Sequence, residues 1–280
     1  RVVDAVSIIA VQKGFFAAEG LTVRPQRFSS GPACSETLYT AAADVGTMGD
    51  TTAVIAAARN APIRIVASHG GGEHRHRMIV AGTSTITSVR QLEGKRIAVK
   101  KGTSTYGGLL AYLDANGIDS AGISVVDMRP SDMPEALAAG SVDAIVASEP
   151  TPSLAETKGG RELATLGGLG NTYPILLVMS RGFCESRPDD AARFLNAMAR
   201  AVAFVNEEPD LAARLLAQAT GLPLEVVGKA MGYHTYGLGL GTDVAVSLKK
   251  TCEFLTAQGI TDAEPDLGRA LDASLLARVT

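Results

Sequence analysis

For about 180 residues the chain alternates short β-like runs with stretches of helical spacing, and then turns almost wholly helical. That order constrains the fold more than any other feature, because strand–helix alternation calls for parallel sheets covered by helices. Strand-like runs fall at Gly20 to Val23, Asp44 to Met48, Ile63 to Ala67, Met78 to Ala81, Arg96 to Lys100, Ile123 to Asp127, Val142 to Ala147 and Tyr173 to Met179. Helical patterns fall between them, at Leu38 to Ala43, Thr52 to Arg59, about 105 to 116 with Gly117 as a stop, and Asp132 to Ala139. In the tail, Ser186-Arg-Pro-Asp-Asp combines a cap residue, a first-turn proline and acids beside a helix N-terminus. Phe194, Met198, Val202 and Val205 then recur at helical spacing, and a second helix runs from Pro209 to Gly221.

The 280 residues suggest two domains at a prior of ~150 residues each. A net charge of −3 argues against a nucleic-acid partner. With no Trp and only 5% aromatics, a cage of stacked rings is hard to build. No apolar run approaches the ~20 residues of a membrane span. The opening RVVDAVSIIAVQKGFF lacks a charged segment followed by a long apolar core, so the protein is expected either to be cytosolic or to have lost a leader. Cys34, Cys184 and Cys252 are widely spaced and give neither a metal spacing nor a disulfide framework.

Chemistry concentrates at turns. In VKKGTSTYGGLLAYL (99–113), Gly102-Thr103-Ser104-Thr105 lies where a strand ends and a helix begins. The first N–H groups of a helix lack internal partners and carry a positive dipole, so such a turn can hold an anion. It can equally be a plain N-cap. Ser29-Ser30-Gly31-Pro32 and Thr47-Met48-Gly49-Asp50-Thr51-Thr52 repeat the logic, and three such turns converge better as one site than as three coincidences. Asp50 and Glu149 would favour a ligand bearing an amino group or ring N–H, since an ionised carboxylate only accepts hydrogen bonds. Asp50 can also serve as a helix cap. The run Ser68-His69-Gly-Gly-Gly-Glu73-His74-Arg75-His76-Arg77 invites a metal reading. Its glycines imply a flexible loop, its arginines oppose a dication, and no HExxH or Cys spacing accompanies it. A basic cleft lip or a solvated loop fits better, with Ser68 and His69, directly after the strand, as the candidates. Tyr106, Tyr173 and Tyr233 can close over a ligand, with Tyr233 more suited to packing. No nucleophile elbow, phosphate loop or dinucleotide fingerprint is present.

Three stretches, QKGFFAAEGLTV (12–23), LEGKRIAVKKGTSTYGGLLAYLDANGI (92–118) and ALAAGSVDAIVASEP (136–150), resemble in this order and spacing the periplasmic solute-binding proteins of ABC importers. The branch is the nitrate/sulfonate/taurine group with its pyrimidine-binding relatives, and the similarity covers roughly residues 4–260. The resemblance implies an α/β fold of the type II periplasmic-binding-protein class, with two lobes joined by two crossing segments around a cleft. Lobe 1 would take residues 1–82 and 180–280, and lobe 2 residues 83–179. It places the three turns at the cleft and Glu149 at the family's Glu-Pro position. Only Arg1-Val2-Val3 remains for the family's first strand, so the sequence begins late or that strand is short; the loop after it brings Asp4 into question as a ligand.

The expected ligand residues are therefore Ser30, Gly31, Thr47, Asp50, Thr51, Ser68, His69, Thr103, Ser104, Thr105, Tyr106, Glu149 and Tyr173. The function implied is capture of a small organic solute, such as an aliphatic or taurine-like sulfonate, outside the cytoplasm, and its delivery to a membrane permease. A pyrimidine or other nitrogen heterocycle is the alternative ligand, and an enzyme on the same fold the alternative class. No metal, cofactor or nucleic acid is expected, and the protein is expected to be a monomer.

Overall fold

The computed structural model describes residues 4–28, 30–262 and 265–279. The strands are β1 (Val45–Gly49), β2 (Ile63–Gly70), β3 (His76–Ala81), β4 (Arg96–Val99), β5 (Ser124–Asp127), β6 (Ala144–Ser148), β7 (Gly160–Thr165) and β8 (Ile175–Ser180). They form two sheets, one ordered β1-β8-β2 and the other β5-β4-β6-β3-β7. Each sheet anchors one lobe.

The sheets are less parallel than strand–helix alternation implies. β4 pairs in parallel with β5 and β6, but β3 and β8 run antiparallel to their neighbours. The reason is topological: β3 and β8 are the strands by which the chain enters one lobe from the other, so they arrive against the local direction. β3 lies in the sheet with β4, β5, β6 and β7, and β8 in the sheet with β1 and β2. The expected strand at Arg1–Val3 lies outside the described residues.

Other expectations shift for local reasons. The helix foreseen at Leu38 to Ala43 runs instead over Gly31–Tyr39, because Ser30 caps it and Pro32 sits in its first turn. Among the described residues Gly20 to Val23 pairs with no strand; Leu21 and Val23 pack on the first lobe's core. β7 was not foreseen, since Gly-Arg-Glu-Leu-Ala-Thr has no apolar alternation for the eye to find.

In the second lobe, the face of the sheet bearing Met78, Val80, Ile97 and Val99 packs on Leu109 and Leu113 of the helix Ser104–Ala115. The other face, with Ile79, Ala98 and Ile145, meets Met133, Leu137 and Ala155. In the first lobe, the long helix Pro188–Glu207 starts on a proline with Asp189 and Asp190 in its first turn, and buries Leu195, Met198, Val202 and Val205. Phe194 stacks on Phe16 at 4.7 Å.

The run 68–77 is the hinge rather than a solvated loop. Gly72 N donates to Thr172 O at 2.7 Å, and Gly71 N to Thr235 O at 2.9 Å, so three backbone segments lie side by side. A Cβ at Gly72 would stand 2.2 Å from Tyr233 O and one at Gly71 2.6 Å from Thr172 O. The glycines serve close approach.

Candidate functional site

Between the lobes lies a cavity of about 100 Å³. Three helix N-termini reach it. Ser30 accepts from Ala33 N at the start of Gly31–Tyr39, Gly49 precedes Asp50–Ala58, and Thr103 accepts from Tyr106 N at the start of Ser104–Ala115. Ser30, Gly31, Gly49, Thr103, Ser104 and Thr105 all line the cavity, so hydroxyls and the positive ends of three helix dipoles face one space.

The walls add charge. Arg75 lines the cavity and is buried. Its Nε and Nη2 both donate to Tyr173 O, at 3.1 and 2.9 Å, and Nη1 donates to Ser148 Oγ at 2.8 Å. Tyr173 turns its backbone to φ 45° as it presents that carbonyl to the guanidinium. His76 follows, with Nδ1 2.8 Å from Thr105 Oγ1 and its ring edge-on to Tyr173 at 4.6 Å. Burial, with Arg75 beside it, holds the imidazole pKa well below its usual value, so His76 is neutral. Asp4 completes the first lobe's side; its Oδ1 accepts from Thr47 Oγ1 at 2.9 Å.

Of the residues expected from the sequence, Ser30, Gly31, Thr47, Thr103, Ser104, Thr105 and Glu149 line this cavity. Glu149 does so without offering a free carboxylate. Its Oε1 accepts from Arg77 at 2.6 Å, and Arg77 is held further by Glu156 and Glu162, both at 2.5 Å. Against burial, these three carboxylates raise the Arg77 pKa still higher, while burial pushes that of Glu149 up. Asp50 is likewise engaged, accepting from Thr51 N, Ser104 Oγ, Asn171 Nδ2 and Thr251 Oγ1.

The remaining candidates lie elsewhere. Asp50 and Thr51 border a separate cavity of about 400 Å³, between Ser104–Ala115 and the helix Thr242–Ala257. Ser68 Oγ donates to Gly70 O and Ile175 O within the hinge. His69 is fully buried there, its pKa lowered to about 4 chiefly by burial. Tyr106 packs on the second lobe's core. The Tyr173 hydroxyl donates to Leu166 O at 2.9 Å, so this residue braces the hinge instead of covering a ligand. Sequence reasoning passed over Arg75, His76 and Lys100 as wall residues. Among the described residues, no group of three or more His, Cys, Asp or Glu side chains is placed to hold a metal, and Cys34, Cys184 and Cys252 form no disulfide.

The model of the NMT1/THI5-like family matches residues 4–212. This chain belongs to that family. The putative aliphatic sulfonates-binding protein of Bacillus subtilis is 27% identical over 276 residues, covering 96% of this chain and 83% of that protein. Among solved structures, the alkanesulfonate-binding protein SsuA of Xanthomonas axonopodis pv. citri, bound to MOPS, aligns with a TM-score of 0.89 at 24% identity, over 97% of this chain and 95% of that one. The desulfurization enzyme DSZB aligns at 0.75 with 18% identity, over 98% and 94%. The two-lobed α/β binding-protein fold is thus the fold of this family member, and it is a fold on which both binders and an enzyme occur.

Proposed function

We propose that the chain is the extracytoplasmic solute-binding component of an ABC importer, and that it grips a small aliphatic sulfonate between its lobes and releases it unchanged to a membrane permease. The observation that carries this reading is the buried Arg75 facing the same cavity as three helix N-termini. A sulfonate spreads one charge over three acceptor oxygens, which suits many N–H and O–H donors and one guanidinium. Asp50 lies outside this cavity with four protein donors on its oxygens, and Glu149 is paired with Arg77, so neither offers a ligand an open carboxylate. Asp4 is the carboxylate that lines the wall beside Thr47, and it can accept from the ammonium of a taurine-like ligand.

Contacts from both lobes exist together only when the lobes are closed, so the ligand stabilises closure through its differential affinity. Turnover has no support in the walls. Cys34 packs in an apolar cluster, where a Cβ at Gly46 would meet its sulfur at 2.7 Å, and His76 is paired with a threonine. Among the described residues no helix is long and apolar enough to cross a membrane. Similarity to proteins called sulfonate-binding supports the ligand class.

The test is a calorimetric titration with ethanesulfonate, taurine, nitrate and uracil, followed by mass spectrometry of the recovered ligand. Saturable binding of a sulfonate recovered intact is expected. Preference for uracil would favour the heterocycle alternative, and a chemically changed ligand would favour the enzyme.

A further inference from the structure

Asp50 has the residue type of a ligand contact but not the surroundings. Its Oδ1 accepts from Thr51 N at 2.7 Å and from the Ser104 hydroxyl. Its Oδ2 accepts from Thr251 Oγ1 at 2.9 Å and Asn171 Nδ2 at 3.3 Å. An ionised carboxylate has roughly four acceptor positions, and four donors take them. Those donors come from both lobes and from the second crossing segment. The carboxylate is therefore an assembly point that is complete only when the lobes meet.

A steric contact stands beside it. Gly107 lies one turn into the helix Ser104–Ala115 of the second lobe, and a Cβ there would be 2.7 Å from Thr51 Oγ1 of the first. Thr51 is buried in a helix, where a β-branched side chain has few rotamers to retreat into. At the neighbouring contact, a Cβ on Gly49 would come within 2.8 Å of Ser104 Cβ. Neither Asp50 nor Gly107 lines the smaller cavity.

We propose that the Asp50–Ser104 and Thr51–Gly107 contacts form a closure joint, in which Asp50 and Gly107 are positioning residues that set how closely the Thr103–Thr105 turn approaches the first lobe. The inference rests on the binding function proposed above and deepens it. With the lobes apart, Ser104 leaves Asp50 and the helix face at Gly107 meets water. A side chain at 107 then harms nothing in the open form. It even favours the helix, since glycine is the poorest helix former after proline, by about 1 kcal/mol relative to alanine. In the closed form the same side chain props the lobes apart, and the ligand loses the second lobe's donors.

The experiment uses the full chain with nitroxide labels at Glu36→Cys and Asn116→Cys in a Cys184→Ser background, together with calorimetric titration of ethanesulfonate. Wild type is compared with Gly107→Ala, Gly107→Val and Asp50→Asn. Wild type should show a short-separation population that grows with ethanesulfonate. Gly107→Val should lose that population and bind at least tenfold more weakly, with alanine between, while the ligand-free Tm stays level or rises. Asp50→Asn should weaken binding and shrink the short population together. A valine variant with wild-type affinity and wild-type separations overturns the joint, and so does a lowered ligand-free Tm with an unchanged short population. If wild type ignores ethanesulfonate but its ligand-free short population vanishes in Gly107→Val, the joint stands and the sulfonate reading falls. If all variants bind ethanesulfonate alike, the joint falls and the sulfonate reading stands.

Discussion

Replacing Arg75 by methionine removes the guanidinium while keeping much of its volume. Two effects follow from its contacts. The first acts on the ligand. A guanidinium about 5 Å from a sulfonate, at an effective dielectric near 20, contributes roughly 3 kcal/mol. Losing it should raise Kd by roughly 150-fold. The second acts on the fold. Tyr173 O and Ser148 Oγ lose donors that now sit 2.8 to 3.1 Å away, and unmet buried acceptors cost about 1–3 kcal/mol. The variant should therefore bind weakly and also melt earlier. Calorimetry separates the two if ethanesulfonate is compared with ethyl methyl sulfone, an uncharged isostere. Wild type should prefer the sulfonate strongly, and Arg75→Met should lose that preference. Arg75→Lys should recover part of the affinity but not the stability, because a point charge cannot make the two-pronged contact to Tyr173 O. Sulfonate affinity within threefold of wild type in Arg75→Met, or an intact preference over the sulfone, refutes the argument.

Further outcomes are expected. His69 and His234 are buried and hold pKa values lowered to about 4 and about 3, in both chiefly by burial. Between pH 6.5 and 4 the unfolded chain takes up protons that the folded one refuses, so stability should fall as the pH drops through that window, by roughly 2 kcal/mol per histidine at pH 5. Urea titrations at pH 7 and pH 5 check this, and His69→Gln should flatten the difference. Thr103→Ala removes the cap of Ser104–Ala115 and a wall hydroxyl, and should cost about 1 kcal/mol of stability as well as affinity; equal Tm and Kd would show the cap to be idle. Arg77→Met strands Glu149 without its partner, and breaking such a buried pair costs about 3–5 kcal/mol, which denaturant unfolding should register while the ligand preference stays sulfonate over uracil.

Much of the architecture was legible because it depends on local signals. Gly117 marks a helix stop and the acids after Ser186 a long helix, and both act within a few residues of themselves. Thr103, Ser104 and Thr105 were legible as a turn that lines the cavity for the same reason: a hydroxyl turn between strand and helix is a local fact. What escaped depends on partners distant in sequence. Nothing near Asp50 announces that Ser104 and Thr251 will consume its oxygens. Nothing near Glu149 says that Arg77, in another strand, neutralises it. The glycine-rich run 70–72 looks like a loose loop until Tyr233 and Thr172 are seen to press against it. The run's basic charge was read as a cleft lip, but Arg75 and His76 were left out of the chosen residues because the run looked like a loop rather than the start of a buried strand.

The central claim is that the space among Arg75, the Ser30–Gly31 turn and the Thr103–Thr105 turn holds a small organic anion. A crystal structure grown with ethanesulfonate addresses it most directly. It should show the sulfonate oxygens within hydrogen-bonding distance of Arg75 and of both turns, with the lobes closed over them. Ethanesulfonate density found elsewhere on the protein, with that space filled only by water, would contradict it.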